Sequence, residues 1–365
     1  MSQTIEQIIG GVNLTGVIQQ TTTGIPDVLP AEFYKDRHTV NEDSGEYTKV
    51  TGTRTVARLA AYGSPSQTRN LKDIGKIPVK LLHTVESINH RPSTLMNLFK
   101  YDELAIQKMG IDEITRQTRE FKMNFDNLRV AAAECALFNG YIYADSLGNL
   151  QTTSAGAVIN VNFGVPSGNK NQLNVAGSGN LIGTAWSNAA APIVTNINAI
   201  KKAARKLSGY PLKYAFYGEN VPDYIFKNTT YRDFLKLNPS ANAQATNGNV
   251  PNGFCDLIWL PAYEAFFEDQ NGVNQDIVNP DGVTFTPAPS MDWWEWLEGT
   301  YPVPTTVGAV TGDGAQAAAS IMTAVGMFSY GQVIADPTTI KHVAGDTFLP
   351  VLKVPKAVFQ AIVNF

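Results

Sequence analysis

The chain has 365 residues, 44% of them hydrophobic and 10% aromatic, enough apolar side chain to offset the entropy of ordering and to exclude an intrinsically disordered protein. Charged residues make up only 16% and the formal net charge is −4, against a charged share of about 25% in an average soluble domain. That balance excludes a dedicated nucleic-acid binder with a basic footprint, and it leaves polar, charge-poor surfaces suited to burial against neighbours.

Residues 1–28 are rich in Thr, Gln and Gly and lack a helical period. They read as an extended arm, ordered only by lying on something else. No Lys or Arg precedes an apolar run there, so no secretory signal is expected, and no apolar stretch reaches the ~20 residues that cross a bilayer. Residues 47–59 and 77–88 are dense in β-branched side chains and read as the two limbs of a hairpin, with a polar tip at 62–70. Two mostly hydrophilic strands are not stable alone, so the hairpin needs a partner surface.

Ile111, Ile114, Thr118, Phe121, Phe125, Leu128, Ala132 and Cys135 recur at steps of three and four, which predicts one long amphipathic helix over 112–138, stopped by Gly140. Its other faces carry Arg116, Arg119, Lys122 and Arg129, a candidate face for nucleic acid, interleaved with Glu113, Glu120 and Asp126, which make a solvated, self-paired face equally consistent. Residues 141–183 are a loop-dense β region with a strand at 157–163. A second helix is predicted over 192–207, a strand at 213–217, a short helix at 222–227 and a strand at 257–260, so 189–327 reads as one α+β unit. The final stretch, 331–365, is strand-like and is expected to rejoin the unit holding the long helix.

Catalytic constellations are sparse. His38, His83, His90 and His342 are scattered without metal-ligand spacing, and neither a nucleophile elbow nor a phosphate-binding loop is present. Asp292, Glu295 and Glu298 beside Trp293, Trp294 and Trp296 look superficially like a glycosidase cluster, but the same tryptophans serve equally as an interface or core anchor. Residues 268–276 lack the spacing of a calcium loop and read as a turn between strands. Cys135 and Cys255 lie far apart in apolar surroundings and read as two buried thiols. No cofactor is implied.

The order of elements, together with Asp145-Ser-Leu-Gly-Asn149 after the long helix, Val161-Asn-Phe-Gly164, Thr184-Ala-Trp186, Pro192, Leu207-Ser-Gly-Tyr-Pro211 and Phe348-Leu-Pro350 through Pro355, resembles the major capsid proteins of tailed phages. More narrowly, it is similar to the lambda major head protein E family. The resemblance implies an α+β Hong Kong 97 type fold, with an N-terminal arm at 1–47, an E-loop at 48–87, a peripheral domain with a spine helix at 88–188, an axial domain at 189–330, and a return to the peripheral domain at 331–365. It implies a structural, non-enzymatic protein that assembles into hexamers and pentamers of an icosahedral head enclosing double-stranded DNA. A separate scaffolding protein, a portal and a decoration protein would be its partners, the host cytoplasm its place of assembly and the virion its destination. Contact with another subunit is then expected from Tyr62, Arg69, Lys72 and Asp73 on the hairpin and from Trp293, Trp294 and Trp296. A nanocompartment shell of the encapsulin kind, or a carbohydrate-active enzyme, would be the alternatives.

Overall fold

The computed structural model describes residues 14–20, 28–41, 44–49, 75–90, 104–171, 179–237, 248–269, 272–304, 321–335 and 338–365. Its first element corrects the extended arm: Leu14–Gln20 is a helix, α1. Seven residues with no charged caps do not hold a helix in water. Docking does so here, because Ile18 is fully buried, Thr15 Oγ1 donates to the Ser329 carbonyl at 2.9 Å, and Gln19 Nε2 donates to the Met327 carbonyl at 2.9 Å.

A 3-10 turn at Ala31–Tyr34 leads to β1 (Arg37–Val40). Strands β2 (Ser44–Lys49) and β3 (Gly75–Lys80) pair antiparallel, from Ser44 opposite Lys80 to Lys49 opposite Gly75, and form the base of the predicted hairpin. The chain then runs through β4 (Leu82–His90) to the long helix α2 (Leu104–Glu134), which starts eight residues before the predicted position 112. The apolar stripe is its packed face: Thr118, Phe121, Phe125, Ala132 and Cys135 are buried. A π-helical turn, Cys135–Asn139, widens its end, and Gly140 stops it at φ +77°. Only glycine fits there, since a Cβ would also stand 2.7 Å from Val165 Cγ2.

A three-stranded strip follows, β5 (Tyr141–Ala144), β6 (Leu150–Gln151) and β7 (Ile159–Asn162), then the short β8 (Lys170–Asn171). Helix α3 (Ile193–Leu207), strand β9 (Leu212–Tyr217) and helix α4 (Val221–Lys227) lie close to their predicted positions, whereas helix α5 (Thr229–Leu237) was not read from sequence. Beyond them come β10 (Ile258–Pro261), the hairpin β11 (Phe266–Glu268) and β12 (Asn274–Asp276), and β13 (Gly282–Pro287). The chain closes with β14 (Trp294–Pro304), β15 (Ile321–Val325), β16 (Phe328–Ala335), β17 (Thr338–Leu352) and β18 (Phe359–Ile362).

Two sheets organise the molecule. In the larger, β17 pairs with β16 on one side and with β4 and then β14 on the other, while β1 and β15 attach to β14. Helix α2 packs on this sheet. The smaller sheet has the order β10-β9-β13-β18-β8, and α3 covers it through Ile193, Ile197, Ile200 and Ala204.

The strand order departs from the sequence reading twice. The 189–327 block does not stay together: β14 and β15 join the large sheet, because β14 sets its tryptophans against the apolar end of β17, Trp294 opposite Leu352 and Trp296 opposite Pro350. Nor does all of 331–365 return to the long helix. Strand β18 crosses to the smaller sheet between β13 and β8, where Phe359, Ala361 and Val363 fill the core beneath α3.

Candidate contact surfaces

The tryptophan cluster belongs to the interior. Trp293, Trp294 and Trp296 are 0%, 1% and 2% exposed and surround Phe33, whose ring lies 6.2 Å from Trp293 and 5.9 Å from Trp294. The Phe33 carbonyl accepts both indole N–H groups of the strand, Trp294 at 2.8 Å and Trp296 at 2.7 Å. Phe33 also meets Tyr214 and Phe216 of β9, so it joins the two sheets. The expected intersubunit role of these tryptophans is thereby corrected: apolar bodies and polar N–H groups are both satisfied within the chain. The neighbouring carboxylates are engaged too, Glu295 with Lys353 at 2.6 Å and Glu298 with Arg37 at 3.0 Å.

The long helix carries less free charge than its sequence suggested. Arg129, taken as a candidate to face DNA, is buried: its Nε and Nη2 donate to Asp346 at 2.6 and 2.7 Å and its Nη1 donates to Glu298 at 2.9 Å. Planar guanidinium against carboxylate is the geometry of a strong bidentate pair. These carboxylates raise the Arg129 pKa against the opposing effect of burial. Lys122 is half-buried and paired with Asp126 at 2.8 Å, and Arg116 pairs with Glu120. Arg116 and Arg119 are the exposed cations among the four.

Tyr62, Arg69, Lys72 and Asp73, the hairpin contact candidates, lie outside the described residues. The base of that hairpin is described, and among the described residues the β2–β3 ladder pairs with no third strand. The motif Asp145-Ser-Leu-Gly-Asn149 is a closed turn: Asp145 Oδ1 accepts the N–H groups of Leu147 at 2.8 Å and Asn149 at 2.9 Å, which lowers the carboxyl pKa. In the 268–276 stretch, β11 and β12 pair antiparallel, with Glu268 opposite Asn274 and Asp269 Oδ1 accepting Val273 N–H at 2.9 Å. Both cysteines are free thiols with pKa values raised by burial, Cys135 to about 12 and Cys255 to about 11.

Over residues 12–363 the sequence matches the family described as phage major capsid protein E. The chain belongs to that family. Capsid E membership gives it a structural role in the phage shell. No curated protein matches the sequence. Among solved structures, a prophage protein of E. coli CFT073 assigned as its capsid protein is similar over 100% of this chain and 99% of its own, at 12% identity and a TM-score of 0.52. A phage-related protein from Bordetella bronchiseptica RB50 (9% identity, 95% of each chain, TM-score 0.44) and the mature capsid of bacteriophage PhiM1 (9% identity, 94% and 89%, TM-score 0.44) are more remote. The E. coli prophage protein shares the fold of this chain, the Hong Kong 97 type capsid fold.

For a capsid E chain, the feature that sequence reading missed is the ion network at Arg129. Arg129, Glu298 and Asp346 are separated by 169 and 217 positions along the chain, and no local spacing announces such a triad.

Proposed function

We propose that this capsid E chain is the repeating subunit of an icosahedral phage head, arranged as hexamers and pentamers around double-stranded DNA. The family match across residues 12–363 carries the reading. The β2–β3 ladder, which pairs with no third strand among the described residues, supports it, since a two-stranded ribbon is marginal by itself and gains order from a neighbouring subunit. In this reading the hairpin reaching from β2 and β3 is the E-loop and α2 is the spine of a peripheral domain built on the larger sheet. The smaller sheet with α3, α4 and α5 is the axial domain that meets its copies around the symmetry axes, through heterologous contacts that close into rings. The reading is also non-catalytic, because Glu295 and Glu298 are neutralised by the chain's own cations. Cryo-electron microscopy of the full chain, expressed alone and with a phage scaffolding protein, tests it. Closed shells with five- and sixfold capsomers are expected there, and shells that protect double-stranded DNA from nuclease are expected from phage-infected cells in which the chain is made. A chain that stays monomeric under every condition, or shells that enclose enzymes and no DNA, would overturn it.

A further inference from the structure

Residues 146–218 contain six cations, Lys170, Lys201, Lys202, Arg205, Lys206 and Lys213, and not one aspartate or glutamate, in a chain whose net charge is −4. Four of the six sit on α3, whose sequence IVTNINAIKKAARKL has no acidic residue. The structure sorts them by task. Lys213 pairs with Glu32 at 3.5 Å, and Lys201 is held by a bond to the Cys255 carbonyl at 2.8 Å and an approach to Asp256 at 3.5 Å. Lys170 is half-buried on β8, away from the helix. Lys202, Arg205 and Lys206 remain: all three are exposed, and none has a carboxylate partner among the described residues. They lie at i, i+3 and i+4 and so share one face of the helix. The same strip continues toward the N-terminus through exposed Asn198 and Thr195.

We infer that this strip of α3, and not the long helix, is the surface of the subunit that contacts the phosphate backbone of DNA. The inference rests on the head-subunit reading. Arg205 and Lys206 occupy the last turn, where cations favour the helix C-terminus, but Lys202 stands a turn earlier and gains little from that effect. On α2, by contrast, Arg116, Lys122 and Arg129 each already hold a carboxylate, which leaves exposed Arg119 as a single cation against three on α3. Lys202 and Lys206 are about 6 Å apart along the helix axis, and DNA offers one negative charge per ~1.7 Å of its own axis, so three such cations meet phosphates without requiring a register. An acidic protein surface fits less well. Protein interfaces are anchored by buried aromatic and aliphatic side chains, whereas the strip offers Thr195, Asn198 and three cations, with Leu207 alone at its end 44% exposed.

The test uses the full chain before shell assembly and a labelled 30-base-pair DNA duplex of random sequence, followed by fluorescence anisotropy between 50 and 200 mM NaCl. In K202Q/R205Q/K206Q the slope of log K against log salt should shrink by about 2.7, the release of counterions from three phosphates, and affinity should fall more than tenfold. R116Q/R119Q should stay within twofold of the natural sequence. Lys202→Gln alone should shrink the slope by about 0.9, which keeps the inference testable if the triple variant misfolds. An unchanged slope, a loss carried by R116Q/R119Q instead, or no binding by the natural chain at 50 mM NaCl would overturn it. Tighter binding to polyglutamate than to the duplex would overturn it in favour of an acidic protein partner. Shell assembly is scored in parallel: the triple variant should still form shells, and shells lost while the DNA slope is kept would make the strip a contact between copies. Failure of the natural chain to form shells counts against the head-subunit reading and not against this surface.

Discussion

Arg129 stands where the long helix crosses the larger sheet, and the triad it makes with Asp346 and Glu298 ties residues from α2, β14 and β17. In Arg129→Ala the Asp346 side chain, fully buried, is left as an uncompensated charge, so a loss of ~3–5 kcal/mol is expected in denaturant unfolding. Arg129→Lys should recover only part of it, since an ammonium cannot make the two parallel bonds. The folded-state pKa of Arg129 is raised, so its contribution is fully present below the unfolded value and lost only as pH rises through the folded one. Both lie far above neutrality, and the difference between natural chain and variant should stay flat from about pH 6 to about pH 9. The thiols follow an opposite logic. Burial disfavours their thiolates, so iodoacetamide at pH 8 should modify both more slowly than a free cysteine, with half-buried Cys255 reacting before Cys135, as mass spectrometry would show. At this scale the sequence told that both cysteines are free thiols and that Cys135 is buried, but not that Cys255 is only half-buried, nor the fate of the charges. The same Arg reads as solvated or DNA-facing on a helical wheel until the distant acids that bury it are known.

Helix α2 and the short helix α1 differ in how they are stabilised. Phe125 is 1% exposed and sits with Phe121, Ile18, Met327 and Ala344 in one cluster. Phe125→Ala should therefore cost ~3–5 kcal/mol, read by thermal or denaturant unfolding, and a loss under ~1 kcal/mol would mean the stripe is not packed. The loss of Ile18 acts on the other side of the same cluster. Ile18→Ala should leave the global unfolding midpoint nearly unchanged while amide exchange over Leu14–Gln20 quickens at least tenfold, the signature of a docked element detaching locally. Helices α2 and α3 were legible because an apolar period of 3.6 survives any context. Helix α1 was not, because its order comes from Ser329 and Met327, three hundred positions away. The β11–β12 turn and the Gly140 stop were legible from local chemistry. The strand order was not: β14 and β18 each change sheets relative to their neighbours in sequence, and pairing of that kind is decided by which buried edge is free rather than by the strand itself.

For the whole subunit, the sharpest expectation separates folding from assembly. Replacing residues 62–70 by a short Gly/Ser turn should leave thermal unfolding of the dissociated subunit within ~0.5 kcal/mol of the natural chain. In the proposed head-subunit reading it should also abolish or greatly weaken shell formation, since one contact would then be removed at every equivalent position. Normal shells from the shortened chain, counted by sedimentation and microscopy, would assign the hairpin some other task.

The position of β17 has a further consequence, for the life of the chain before any shell exists. That strand is the axis of the larger sheet, holding β4, β14 and β16 by hydrogen bonds and α2 through Asp346, yet its residues, Thr338–Leu352, are synthesised after every element it holds. At ~5–20 residues per second, the ribosome needs roughly 10–40 s between finishing α2 and delivering this strand. Throughout that time the face of α2 and the edge of β4 that meet β17 lack their native partner, and β14 joins them shortly before β17 arrives. Closure of the larger sheet therefore waits for residues 338–352, and a nascent chain stalled before residue 338 should be a substrate for chaperones and prone to aggregate with its own copies.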